Sequence, residues 1–267
     1  IVLLVYAVLA GDFRAAAKFL FVPDFSKLNA EVVLLAVGQA FFSLGIGLGV
    51  LLTIGAYMDQ NTSILRASLI VAGADAGVAL LAGLAIFPIV FAHGLSPAEG
   101  PGLIFMTLPI AFGGMPGGAI LAPLFFSLMA IAALTSAITI LEAIVSTIED
   151  YSTMSRRKIV LLVTFMLWVA GLGTVFSFGK LQDFHPLGII PAFESRNIFE
   201  SLDYIVSNWM MPAGGMLIAL LAGWGLGRPA TSEELRLPRS TVYRVWLILV
   251  RYVVPAAIGL IFISNLR

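Results

Sequence analysis

Apolar runs of helical length follow one another along almost the whole chain, at about 30–57, 65–92, 121–148, 158–178, 203–226 and 242–264, after a half-length run at about 1–10. About 20 consecutive apolar residues suffice to cross the hydrocarbon of a bilayer, and in lipid every peptide group has to bond within its own element or a closed barrel. The runs lack the alternation of an outer-membrane barrel. The chain is therefore expected to be an all-α, polytopic membrane protein, a single transmembrane domain over residues 1–267. Its composition agrees, with 60% hydrophobic and 11% charged residues. Soluble domains carry about a quarter charged residues.

Several classes of function drop out at once. The formal net charge is zero and there is no basic tract, so nucleic acid is not an expected partner. The absence of cysteine removes disulfides, thiolate metal sites and cysteine nucleophiles. No Ser, His and Asp constellation or Gly-Lys phosphate loop supports catalysis, so the chain is not read as an enzyme. The opening run IVLLVYAVLA is too short to span and lacks the basic leader and small-residue cleavage site of a signal peptide. It reads as a first helix entered partway, with an amino-terminal portion lying outside this sequence.

Lysine and arginine set the expected orientation. Arg66, the Arg156-Arg157-Lys158 cluster, Arg228, Arg236, Arg239 and Arg244 fall on one side, in short connectors, and are placed in the cytoplasm. Arg14, Lys18, Lys27, Lys180, Arg196 and Arg267 fall on the other. The apolar, glycine- and proline-rich connector 93–120 is expected to fold as a broken helical hairpin into an outer vestibule.

One span contradicts its own length. QAFFSLGIGLGVLLTI at 39–54 carries Gly45, Gly47 and Gly49 at mid-depth beside the polar Ser43. A helix interrupted there is expected to unwind over Ser43 to Gly47, and the freed peptide dipoles would be met in a membrane by cations and a polar solute. Of the two phenylalanines beside the break, Phe41 and Phe42, aromatics in such a place are more often core than lid.

Ionisable residues at membrane depth need an account. Asp75, in LIVAGADAGVALLAGLAIF, would cost ~2.5 to 3.5 kcal/mol on insertion scales, which favours a functional role. It could bind a cation, relay protons or cap a neighbouring helix. The run AALTSA at 132–137 is either a close helix-packing face with back-bonded hydroxyls or a set of neutral oxygens suited to sodium. Glu142 and Asp150 lie at one end of their span, as gate contacts or interfacial charges. Asp203 is expected to open its span, where a helix amino terminus favours an acid. His93 and His185 have no partner spacing for a metal and read as surface histidines.

GQAFFSLGIGLGVLLTIGAY at 38–57, AALTSAITILE at 132–142 and RYVVPAAIG at 251–259 together resemble the neurotransmitter:sodium symporters, in particular their bacterial eleven-helix amino acid members. The resemblance runs from Ile1 to Arg267 and implies the second half of a LeuT-like inverted-repeat fold with a discontinuous helix, from the end of helix 5 to helix 11. It implies that Phe42 is the aromatic lid, Ser43 a sodium-one ligand and substrate-binding residue, and Gly45 and Leu48 the unwound segment facing the substrate. It likewise implies that Ala132, Thr135 and Ser136 are sodium-two ligands, with Ser136 and Ile140 on the pocket wall. Asp75 stands where many members carry a sodium-one asparagine, and Ala79 where chloride-dependent members have a serine; both suggest independence of chloride. Tyr57, Glu142 and Asp150 resemble inner-gate positions and Asp203 the outer-gate acid.

The resemblance thus implies sodium-coupled symport of a small neutral or apolar amino acid in the cell inner (plasma) membrane. Sodium, the amino acid, membrane lipid and the amino-terminal helices of the same protein would be its partners. Two other readings stay open on the residues: a non-transporting membrane module that keeps the packing motifs, and a proton-coupled carrier relaying through Asp75.

Overall fold

The computed structural model describes residues 2–59, 61–97, 102–237 and 241–265, and among them every regular element is a helix. Arg239, Arg267, Gly100 and Pro101, which enter the sequence reading, lie outside the described residues. Five helices are long and apolar enough to cross a membrane: Ile64–Ala92, Gly118–Tyr151, Arg156–Phe176, Ile198–Gly225 and Thr241–Ile263. The span expected at 30–57 is divided into Ala30–Ser43 and Val50–Ala56. The architecture is that of a multi-pass membrane protein. Large apolar side chains such as Leu161, Phe165, Met166 and Trp168 are exposed along Arg156–Phe176, as lipid contact requires.

The observed ends follow local capping. The Ile198–Gly225 helix begins five residues before the expected 203, because Asn197 and Glu200 form a capping box. The Asn197 side chain accepts from the Glu200 amide at 3.0 Å, and the Glu200 carboxylate accepts from the Asn197 amide at 3.0 Å. Asp203 therefore does not open the helix. It lies inside it and accepts a hydrogen bond from the Ser207 hydroxyl one turn on, at 3.2 Å, so the dipole argument passes to Glu200.

The chain divides into two compact units. The first comprises Ile1–Leu28 and Ser68–Ser136. Its core is Leu3, Ala7, Ile89, Val90, Leu108, Ala111, Phe112 and Leu121. Two short helices, Val2–Ala10 and Phe13–Phe21, meet at Gly11, where a Cβ would lie 2.7 Å from that of Pro88. Here the Asp12 amide donates to the Pro88 carbonyl at 2.9 Å.

The hairpin expected over 93–120 is described only in part, since residues 98–101 lie outside the described residues. Among the described residues the connector holds one apolar helix, Leu103–Gly114, whose Leu108, Ala111 and Phe112 enter the core. The place of a second limb is taken by the membrane helix itself, which starts at Gly118 rather than 121. Gly117, at φ +76°, turns the chain tightly enough that a Cβ on Gly118 would lie 1.8 Å from the Phe112 carbonyl oxygen.

The second unit comprises Asn29–Ala67 and Ala137–Arg267. Its buried side chains include Val145, Ile159, Phe193, Met211, Ala219, Tyr243, Leu247 and Ile258. Ser177, almost fully buried, donates to the Gly173 carbonyl at 2.9 Å and accepts from the Phe199 amide at 3.2 Å. That one hydroxyl ties the end of one membrane helix to the start of the next. Three π-helical turns, at Ile205–Met210, Leu221–Gly225 and Leu249–Val253, lie within the last two spans without interrupting them.

Candidate functional site

The interruption of the 30–57 span is built by glycine. Helix Ala30–Ser43 ends in a Schellman arrangement: the Ile46 amide donates to the Phe41 carbonyl at 3.0 Å and the Gly45 amide to the Phe42 carbonyl at 3.0 Å. Gly45 takes the left-handed position at φ +63°, where a side chain would be strained. Gly47 and Gly49 also have positive φ, +96° and +78°, before Val50 restarts the helix. The break thus covers 44–49, later than the expected 43–47, and Ser43 is the last helical residue.

The break is held against the Ile198–Gly225 span by backbone-to-backbone approach. A Cβ on Gly47 would lie 2.2 Å from the Met211 carbonyl oxygen, and one on Gly214 would lie 2.1 Å from the Gly47 carbonyl oxygen. Close approach of this kind requires small residues on both sides. The Phe41 ring covers Gly215, where a Cβ would meet it at 2.4 Å. Phe41 is therefore core, whereas Phe42 is half exposed beside it. Leu48 and Ile140 are also exposed, and all three belong to the second unit.

The candidate cation ligands on the long helices lie in the first unit. Asp75 is half-buried at mid-length of Ile64–Ala92. On Gly118–Tyr151 the Thr135 hydroxyl donates to the Ala132 carbonyl at 2.8 Å. This is the back-bonding that the residue pattern allowed. It also holds two neutral oxygens side by side, and a hydroxyl that donates its proton keeps acceptor lone pairs. Back-bonding and ligation of a hard monovalent cation are thus compatible at this pair. Ser136 is exposed beside it, four residues before Ile140 on the same helix face.

The residues read as a gate separate into two groups. The Tyr57 hydroxyl donates to Glu142 at 3.1 Å. Arg156 pairs with Glu142 at 2.5 Å and with Glu149 at 2.8 Å, so that the start of Arg156–Phe176, the last third of Gly118–Tyr151 and the cap of Val50–Ala56 are joined. Asp150 takes no part in this network, and Asp203 is engaged with Ser207. Arg156 and Glu149 were missed as partners: at helix ends such charges look like ordinary interfacial placement. The spacing Glu142, Glu149, seven apart on one helix face, was the available signal. Gly214 and Gly215 were missed too, although the adjacent pair stands out within its apolar run.

Comparison with known proteins shows what the chain is similar to. Residues 1–183 match the model of the sodium:neurotransmitter symporter family. The chain is 35% identical over 250 residues to the uncharacterized sodium-dependent transporter YhdH of Bacillus subtilis, covering 92% of this chain and 54% of that protein. It is 33% identical over 255 residues to an uncharacterized sodium-dependent transporter of Haemophilus influenzae, covering 91% of this chain and 52% of that protein. Among solved structures it is similar to MhsT in complex with L-phenylalanine, at TM-score 0.86 and 38% identity, over 99% of this chain and 59% of that one. The chain spans about half the length of the curated relatives it matches.

Proposed function

We infer the function from one premise: the chain belongs to the sodium:neurotransmitter symporter family. The reading is sodium-coupled symport of a small neutral or apolar amino acid across the cell inner membrane, by alternating access around the break at 44–49. This chain would supply the second half of the transport machinery, working with amino-terminal helices of the same protein. Sodium is cargo as well as driving ion. The observation that carries the reading is the glycine-built break, with peptide dipoles turned out of helical register at mid-span.

Each residue has a part in this mechanism. The Ala132 carbonyl, with the Thr135 and Ser136 hydroxyls, offers neutral oxygens to one sodium. By their resemblance to family positions, Ser43 and Asp75 are each taken as sodium ligands. Phe42, Gly45, Leu48 and Ile140 form an apolar wall with no acid or base for a charged side chain, which favours a neutral or apolar substrate. The L-phenylalanine bound to MhsT is in keeping with such a wall. Coupling follows if sodium binds the substrate-ready conformation better than the alternative, because an ion shifts an equilibrium only by its difference in affinity for the two states. Tyr57 and Glu142, held by Arg156, would close one end, with Asp150 nearby in sequence and Asp203 at the other end.

An anionic Asp75 would itself supply the negative charge that chloride gives in chloride-dependent members, and independence of chloride is expected on that ground. Chloride-stimulated binding by the full-length protein would contradict this. The central test is sodium-dependent amino acid binding to the full-length protein carrying Thr135→Ala and Ser136→Ala. The expected outcome is a loss of sodium affinity of about tenfold or more. Unchanged sodium dependence would remove the reading, and uptake driven by a pH gradient without sodium would replace it with proton coupling.

A further inference from the structure

The last span and the segment that follows Ile198–Gly225 form a cleft of about 520 Å³ lined by Arg228, Tyr243, Arg244, Leu247, Ile248, Arg251 and Tyr252. Pockets of ~300 to 1,000 Å³ are the usual size for a small ligand. Three of the seven lining residues are arginines. Among the described residues no carboxylate lies within ion-pair distance of any of their guanidinium groups. Three cations thus line one cleft with their charge-assisted donors available to an anion from elsewhere.

The cleft is placed and built for a particular kind of anion. Arg228 lies just beyond the end of the Ile198–Gly225 span, and Arg244 stands in the first turn of Thr241–Ile263. The Tyr243 hydroxyl donates to the Arg228 carbonyl at 3.0 Å, which fixes the two ends at the same level. Arg251 lies two turns deeper, where its Nε–H donates to the Gly223 carbonyl and its guanidinium stacks 4.9 Å from the Trp224 ring centre. Gly223 and Arg251 sit in facing π-helical turns, and a Cβ on Gly223 would lie 2.9 Å from the Arg251 Cγ. Arg251 is thus held by one edge of its fork, while Leu247 and Ile248 supply apolar wall between the charges. Positive charge at the membrane boundary, apolar lining below it and Tyr and Trp around it match a group with a phosphate above and acyl chains beneath.

We propose that this cleft binds the phosphate of an anionic phospholipid at the membrane surface, with Arg228 and Arg244 on the headgroup and Arg251 on its glycerol-phosphate side. None of its lining residues is among the proposed sodium or substrate residues, and the proposal does not depend on which solute is carried. The orientation read from lysine and arginine puts it on the cytoplasmic leaflet, where anionic lipid is enriched.

The test uses the full-length protein in detergent, with dioleoyl-phosphatidylglycerol, dioleoyl-phosphatidylcholine and inorganic phosphate as separate probes. Native mass spectrometry should retain phosphatidylglycerol over phosphatidylcholine by at least about tenfold. R228Q and R244Q, at exposed positions that leave the Gly223 contact intact, should each weaken phosphatidylglycerol about fivefold, and the pair about 25-fold. R251Q should add to that loss, and if it fails to fold the two exposed variants still decide. Equal retention of the two lipids, or retention indifferent to R228Q and R244Q, would overturn the proposal. Competition by inorganic phosphate at concentrations that leave phosphatidylcholine binding untouched, with no preference for the lipid, would overturn it in favour of a free-anion site.

Discussion

Two regions of this protein leave α-helical geometry inside the membrane, and they do so by different means. At 44–49 the helix stops altogether, three glycines adopt positive φ, and a new helix begins at Val50. At Leu249–Val253 the helix widens for one π-turn and continues, and at Leu221–Gly225 a π-turn closes the span, with no positive φ in either. The break redirects several peptide groups at once, which suits an ion and a solute. The π-turn at Leu221–Gly225 presents the Gly223 carbonyl, which a side chain of the neighbouring span takes up. Cost scales with what is exposed: a full break demands residues that only glycine can supply, whereas a π-turn tolerates leucine, alanine and tryptophan.

That contrast can be broken by substitution. Gly47→Ala should have the largest effect, since it combines a left-handed backbone with a 2.2 Å clash against the Met211 carbonyl. A loss of ~3 kcal/mol is expected, seen as a drop of several degrees in Tm together with lost sodium-dependent binding. Gly214→Ala, the reciprocal clash at 2.1 Å without positive φ, should come close behind, and an equal effect would show that packing rather than backbone strain dominates. Gly223→Ala meets the flexible stem of Arg251 at 2.9 Å, so only ~1 to 2 kcal/mol should be lost in a thermal melt. Gly45→Ala and Gly49→Ala have room for a Cβ but the wrong φ, and each should cost ~1 kcal/mol by the same measurement. The Glu142 and Arg156 pair, with side chains 31% and 45% exposed, should show a coupling of less than ~1 kcal/mol in a double-mutant cycle of Glu142→Gln and Arg156→Gln. A π-turn substitution as costly as Gly47→Ala would abolish the distinction.

How much of this was legible in the sequence follows from the same physics. The break at 44–49 was visible because positive φ leaves a residue signature, Gly45, Gly47 and Gly49, in a run otherwise rich in large apolar side chains. The spans were visible because lipid imposes one length on them. The π-turns left no trace, since LAGWG and LVRYV contain nothing that α-helix would refuse. The early start at Ile198 could have been read from Asn197 and Glu200, three apart ahead of an apolar run, but the acid at Asp203 drew the boundary inward. The partners of Gly47 and Glu142 are long-range facts: a sequence names Gly214 and Arg156 without saying what lies opposite.

The Schellman closure after Ser43 has a consequence for how this part of the protein can move. Because both amides following the helix are already tied back to Phe41 and Phe42, the end cannot fray residue by residue, and any reorientation is concentrated into the few torsions between Ile46 and Gly49. Glycine occupies mirror-related wells rather than a continuum, so those torsions change by switching. Such a joint behaves like a ratchet with few stops, and the number of distinct poses available to the two half-helices is limited by Gly47 and Gly49, which carry no side chain at all.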